Sequence, residues 1–296
     1  MHKLGKGRVY IGMSANDVLK ALTTKEDFEY SKPAADTNLM FVHRKVDDGD
    51  IYFVDNRKNR AERVHATFRV AGKAPELWDP ATGKTAPVAY KIADGRTTIP
   101  LHLDPNGSTF VVFTKPVTQA SLDLRNPEET QLSSLDDSLN GEWTVSFQPG
   151  RGAPESAEFD RLLSWSVNSN DGIRYFSGTA TYSRKLEIPD GALHEGTRYW
   201  LDLGDVKDLA EVAVNGKDLG ILWKTPFKVD VTEALKPGSN TLAIKVTNLW
   251  VNRLIGDQQP YAVKKYTFTD ITPYKADSPL LPSGLLGPVH MTAMTK

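Results

Sequence analysis

The stretch Asn248-Leu249-Trp250-Val251-Asn252-Arg253-Leu254-Ile255-Gly256-Asp257 holds the densest cluster of polar and aromatic side chains in the chain. Trp250 can offer a flat apolar face, while Asn252, Arg253 and Asp257 supply paired donors and acceptors. One aromatic face with bidentate polar groups is what a ring bearing vicinal hydroxyls requires. The same residues admit a structural reading, in which Arg253 and Asp257 pair as ions and Trp250 packs in a core. Trp223, within Gly220-Ile221-Leu222-Trp223-Lys224-Thr225-Pro226, is a second candidate platform, or else a packing wedge. Trp165, followed by Asn168-Ser169-Asn170-Asp171-Gly172, is a third. Loops this rich in Asn and Asp bind sugars or calcium in some folds, and plain turn chemistry explains them equally well. Ca2+ takes about six to eight oxygen ligands, and no dense carboxylate loop supplies them, so no cofactor is expected beyond that allowance for calcium.

Cleavage of a glycosidic bond usually needs two carboxylates flanking it. Asp171, Glu211, Asp257 and Asp202 are the ones to test, and sequence places no two of them at a defined separation. Glu211 and Asp202 also read as solvent-facing strand residues. The six His (His2, His43, His65, His102, His194 and His290) show no HxH or HExxH spacing, so zinc is not expected. His43 and His65 fall on neighbouring predicted strands and could approach each other. No Gly-x-Ser-x-Gly elbow, GxGxxG or P-loop occurs, which argues against an esterase of the α/β-hydrolase type and against nucleotide binding.

The elements that must carry these residues are mostly strands. Gly7–Gly12 reads as a short buried strand, and Ser14–Leu22 as a helix with Ser14 as N-cap. One strand–helix unit cannot build a layered α/β domain, so the sequence is expected to begin near the end of something larger. From residue 36 onward the pattern is β. Leu39–Lys45 and Ile51–Asp55 flank the Asp47-Asp48-Gly49-Asp50 hairpin signal, and further strands run to about residue 115. Residues 116–138 are polar and read as a linker or entry segment. Beyond them, strands are predicted at Gly141–Phe147, Gly178–Ile188, Thr197–Leu203, Leu209–Val214, Pro226–Val231, Asn240–Asn248 and Gly287–Ala293. Asn215-Gly216 is the tightest hairpin signal in the chain. The expected fold is mainly β: a small β-rich domain over 1–116 with a short α/β start, then a jelly-roll β-sandwich over 120–296.

The 296 residues suit two domains, and 36 Lys and Arg against 37 Asp and Glu give no electrostatic reason for a nucleic acid or an anionic membrane as partner. No run of 18 apolar residues occurs, so no transmembrane helix is expected, and MHKLGKGRVYIG lacks the apolar core of a signal peptide. The absence of Cys removes disulfides and thiolate chemistry together.

Three segments carry a resemblance: Leu139–Phe147 (LNGEWTVSF), Tyr175–Tyr182 (YFSGTATY), and Ala210–Asp257 with its NGKDLGILWKTPF and TNLWVNRLIGD runs. Together they resemble the galactose-binding-like jelly roll of family 2 glycoside hydrolases. They are most similar to the C-terminal region of family 106, the α-L-rhamnosidases. FVHRKVDDGDIYFVDN and PELWDPATGK in the first half resemble that family's region just after its catalytic barrel. The resemblance implies an accessory carbohydrate-binding region, with catalytic carboxylates on a (β/α)8 barrel for which this sequence has no room, since such a barrel takes roughly 250 residues. It implies an oligo- or polysaccharide partner, rhamnose-containing in the simplest case, and a periplasmic or extracellular setting. Two alternatives stand beside it: a standalone glycosidase with its site between the domains, and a purely structural domain. Sheet edges left open by a truncated first domain predict self-association or a missing catalytic domain as their cover.

Overall fold

The computed structural model describes residues 1–124, 129–131, 139 and 141–295. The chain divides into two compact units, Met1–Arg125 and Asn126–Lys296.

The first unit opens with β1 (His2–Leu4) and β2 (Gly7–Val9), an antiparallel hairpin, and α1 (Ala15–Ala21). Ser14 caps α1 as the sequence predicts, its hydroxyl accepting from Asp17 N at 3.2 Å. The strand expected to be buried is exposed throughout, because its partner is the equally exposed β1 rather than a covered sheet, and α1 also buries nothing.

Ten strands follow: β3 (Phe28–Tyr30), β4 (Leu39–Val46), β5 (Gly49–Asn56), β6 (Glu62–Phe68), β7 (Lys73–Trp78), β8 (Thr85–Pro87), β9 (Tyr90–Ala93), β10 (Arg96–Leu103), β11 (Ser108–Pro116) and β12 (Ser121–Leu122). They form two five-stranded sheets, ordered β12-β9-β10-β6-β3 and β4-β5-β11-β7-β8. One core joins them: Phe28, Ala66, Phe68, Ile99 and Leu101 from the first sheet meet Tyr52, Val54, Val111 and Phe113 from the second. The alternation of buried and exposed residues along β6 and β10 follows from one face meeting the other sheet and one meeting solvent. The Asp47-Asp48 turn sets β4 against β5 with Val46 opposite Gly49, so β4 is an edge strand and His43 faces Tyr52. His65 lies on β6 in the other sheet, so the two histidines are not strand neighbours as the sequence suggests. Part of the polar stretch read as a linker is strand β12, paired to β9; residues 125–128 and 132–138 of that stretch lie outside the described residues.

The second unit is a larger sandwich. Its strands are β13 (Glu129–Gln131), β14 (Trp143–Phe147), β15 (Ser156–Phe159), β16 (Thr179–Ile188), β17 (Thr197–Asp202), β18 (Asp205–Lys207), β19 (Leu209–Val214), β20 (Lys217–Leu222), β21 (Lys228–Asp230), β22 (Gly238–Thr247), β23 (Gly284–Gly287) and β24 (His290–Thr295). Among the described residues, two short α-helices, α2 (Asp171–Arg174) and α3 (Val251–Gly256), and a 3-10 turn at Trp165–Val167 interrupt them. A six-stranded sheet β15-β14-β16-β22-β19-β20 and a four-stranded sheet β13-β24-β17-β21 enclose the core, and β18 pairs with β23. Trp143, Val145, Phe147, Tyr182 and Ile244 from the first sheet share this core with Tyr199, Leu201 and Met291 from the second. β19 turns into β20 through Asn215 and Gly216, at φ 52° and 76°, the left-handed pair a type I′ turn demands. The Asn215 amide also donates to Ala234 O and Asn240 Oδ1, which fastens this hairpin to the turn before β22.

At the centre of the core, Trp165 and Tyr182 lie with their rings 10° from parallel. The Tyr182 hydroxyl accepts from Trp165 Nε1 at 2.7 Å and from Leu285 N at 3.0 Å. Removing that oxygen strands two buried donors, each costing about 1–3 kcal/mol. Tyr182→Phe should therefore lower the stability of the second unit by about 2–4 kcal/mol, read as a shift of its urea midpoint at unchanged m.

Candidate functional site

The end of β22 delivers the chain to the cluster the sequence singles out. Asn248 closes the strand, its Oδ1 accepting from Gly178 N at 3.0 Å and its Nδ2 donating to Phe176 O at 2.9 Å. Leu249 O accepts from Ser177 Oγ, which also accepts from Arg253 N, so the first turn of α3 is pinned to the start of β16. Beyond α3, residues 257–283 contain no helix or strand. A segment of that length stays ordered only if its backbone is held by side chains, and two residues of the cluster, Asp257 and Asn252, do this.

Asp257 is buried, and its Oδ2 accepts from Tyr266 N, Thr267 N and Thr267 Oγ1 at 2.9, 2.8 and 2.6 Å. Its Oδ1 lies 2.9 Å from Arg253 Nε, close as an ion pair but without hydrogen-bond alignment. Arg253 is buried too, with Tyr266 and Tyr175 rings 5.0 and 5.9 Å from its guanidinium carbon. Asn252, also buried, binds the far end of the segment by a reciprocal pair: Nδ2 to Leu281 O at 2.8 Å and Leu281 N to Oδ1 at 2.9 Å. Their polar atoms are thus turned inward, which corrects the expectation that Asn252, Arg253 and Asp257 face a ligand.

Trp250 differs. It is 44% exposed, and the Arg151 guanidinium sits 4.6 Å from its ring centre. Its chain neighbours Leu249 and Val251 line a shallow hollow together with Asp208, Asn248, Asn252, Leu281 and Ser283. Asn248 and Asn252 spend their amides on the backbone. Asp208, which the sequence reading misses because a lone Asp after a short strand has no pattern, enters no hydrogen bond or ion pair through its carboxylate among the described residues. An unpaired carboxylate sharing a hollow with apolar Leu249 and Leu281 can accept two hydroxyl protons from one ring.

The other candidates separate. Trp165 is fully buried and belongs to the core, so it offers no platform. Its Asn-rich loop is consumed by turns: Asn168 Oδ1 accepts from Asn170 N, and Asn170 Oδ1 from Gly172 N. Trp223 is 60% exposed, just beyond edge strand β20. Asp171 pairs with Arg174 at 3.2 Å, and nearby the Tyr261 hydroxyl, 3.5 Å from that of Tyr175, has its titration pushed up to about 12, first by that hydrogen bond. Glu211 pairs across the sheet with Lys245, and Asp202 accepts from Gly204 N with His290 at 3.7 Å. No two of Asp171, Asp202, Glu211 and Asp257 share a hydrogen-bond or ion-pair partner. Among the described residues, no group of three or more His, Asp and Glu could hold a metal ion, and no helix is long and apolar enough to cross a membrane.

The two kinds of residue respond differently to deletion. Asp257→Ala leaves the Arg253 charge buried alone and should cost about 3–5 kcal/mol of stability. Trp250→Ala should cost about 1 kcal/mol or less. Paired urea unfolding curves distinguish them.

Comparison with known proteins fits both halves. Residues 1–92 match the alpha-L-rhamnosidase family model, which contains both first-half segments noted in the sequence. Residues 165–273 match the glycosyl hydrolase 2 galactose-binding domain-like model. A solved rhamnosidase from Novosphingobium sp. PP1Y superposes with a TM-score of 0.90 at 44% identity, over 99% of this chain and 27% of that one. A Formosa agariphila protein described as "Putative beta-glucuronidase" is 38% identical over 181 residues, 53% of this chain and 16% of that protein. The chain thus spans about a quarter of the rhamnosidase and less of the second relative. It is a mainly β chain with one segment similar to α-L-rhamnosidases and a later one similar to the glycosyl hydrolase 2 galactose-binding domain.

Proposed function

We propose that this chain serves as a carbohydrate-binding accessory region of a glycoside hydrolase related to α-L-rhamnosidases, with the hollow beside Trp250 as its sugar subsite. One observation carries this reading. Trp250 is 44% exposed between Leu249 and Val251, which line a hollow whose Asp208 carboxylate has no partner among the described residues, in a sandwich matching a galactose-binding-like model. The indole takes the apolar face of a pyranose, and Asp208 takes a pair of its hydroxyls. Arg151, already stacked on the indole, adds donors at the rim. The rhamnosidase relative makes a rhamnose-containing oligosaccharide the first ligand to try.

The test is calorimetric titration of the chain with a panel of oligosaccharides, alongside turnover assays on nitrophenyl glycosides including the α-L-rhamnoside. Trp250→Ala and Asp208→Asn should each weaken binding about tenfold or more, with unchanged unfolding curves. Binding that survives both substitutions would remove the subsite. Turnover by the chain itself, lost on substituting Asp171 or Glu211, would replace the accessory reading with a catalytic one.

A further inference from the structure

His43 occupies an unusual position in the first unit. It lies on the edge strand β4, and its ring stacks on Tyr52 with centroids 4.0 Å apart and planes 11° from parallel. Nδ1 lies 2.8 Å from Asp27 Oδ2, and Nε2 lies 2.9 Å from Asp50 Oδ1. Asp50 is on β5, in the same sheet as His43, whereas Asp27 directly precedes β3, at the edge of the opposite sheet. The imidazole therefore spans the sandwich where its two edge strands meet.

A neutral imidazole carries one N–H, and its other nitrogen is an acceptor, which a carboxylate oxygen repels. Asp27 cannot supply the missing proton. Its Oδ1 already accepts from Tyr52 and from Arg69, so both oxygens act as acceptors. Burial raises its titration, but His43 first, then Arg69 and Tyr52, outweigh this and hold it below the usual carboxylate range. Arg69 directly follows β6, and its backbone N–H also donates to Asp27 O; the titratable and charged groups here are Asp27, Asp50, Tyr52 and Arg69 around the ring, Arg44 and Lys45 next to it on β4, and Lys25, Glu26 and Glu29 on the stretch that carries Asp27.

We propose that His43 is held in the fold as the imidazolium, fastening edge strand β4 to the Asp27 corner of the opposite sheet, and that this corner loosens when His43 loses its proton. The sign follows from the contacts. Only the imidazolium donates to both carboxylates, so the proton on His43 favours the closed corner. Asp27 acts in the opposite sense: its contribution is present above the carboxylate range and is lost as pH falls through its depressed titration.

The experiment uses the full chain. Ring 15N spectra should show protons on both nitrogens of His43 at about pH 6. Amide protection in β3 and β4, corrected for intrinsic exchange, should fall about tenfold between about pH 6 and pH 8.5. Asp50→Asn should remove that fall, because its amide can donate to Nε2 of a neutral ring, and this variant keeps the test decisive if His43→Gln fails to fold. A single ring N–H at the acid end, or an equal loss of protection in the Asp50→Asn protein, would overturn the proposal.

Discussion

A carboxylate taken out of water must have its lone pairs filled, and in the second unit Asp257 meets that demand with the chain itself. Its Oδ2 gathers three donors from Tyr266 and Thr267, and its Oδ1 faces Arg253, which is in turn enclosed by Tyr175 and Tyr266. The position of the segment that follows depends on this one ion. Asn252 repeats the device at the far end through Leu281. The hollow exists because these two ties hold Leu281 and Ser283 opposite Asn248 and Leu249. Charge and amide groups that look like ligand contacts are here the fixings of a wall.

This explains what the sequence revealed and what it did not. The sandwich was legible because its signals are local: alternation along β14, β16 and β22, and the Asn215-Gly216 pair that only a left-handed turn accommodates. The Ser14 cap was equally plain. Sheet membership was not, since pairing β4 to β5 leaves open which sheet takes β6, and so the two histidines were placed side by side when the topology separates them. The exposed hairpin at Gly7–Val9 misled because an apolar run looks the same whether or not anything covers it.

At the site the limits are sharper. Residue type singled out Trp250, Asn252, Arg253 and Asp257, which lie on or cap one short helix. It could not show direction, because a polar side chain on a short helix can serve the backbone on one side or solvent on the other. Asp208 was invisible for the opposite reason. Its significance lies in having no partner among the described residues and in lining the same hollow as Leu249 and Leu281, and neither fact is local in sequence.

The irregular segment 257–283 has one more consequence. It is tied to the sandwich at Asp257 and Asn252, while Val263, Phe268 and Ile271 between those ties are almost fully exposed. Between the ties the contacts are few and lateral: Tyr261 meets Tyr175, and Gln259 Nε2 donates to Ala276 O. A change at any of the three exposed apolar positions therefore alters the outer surface of this edge while leaving both ties in place.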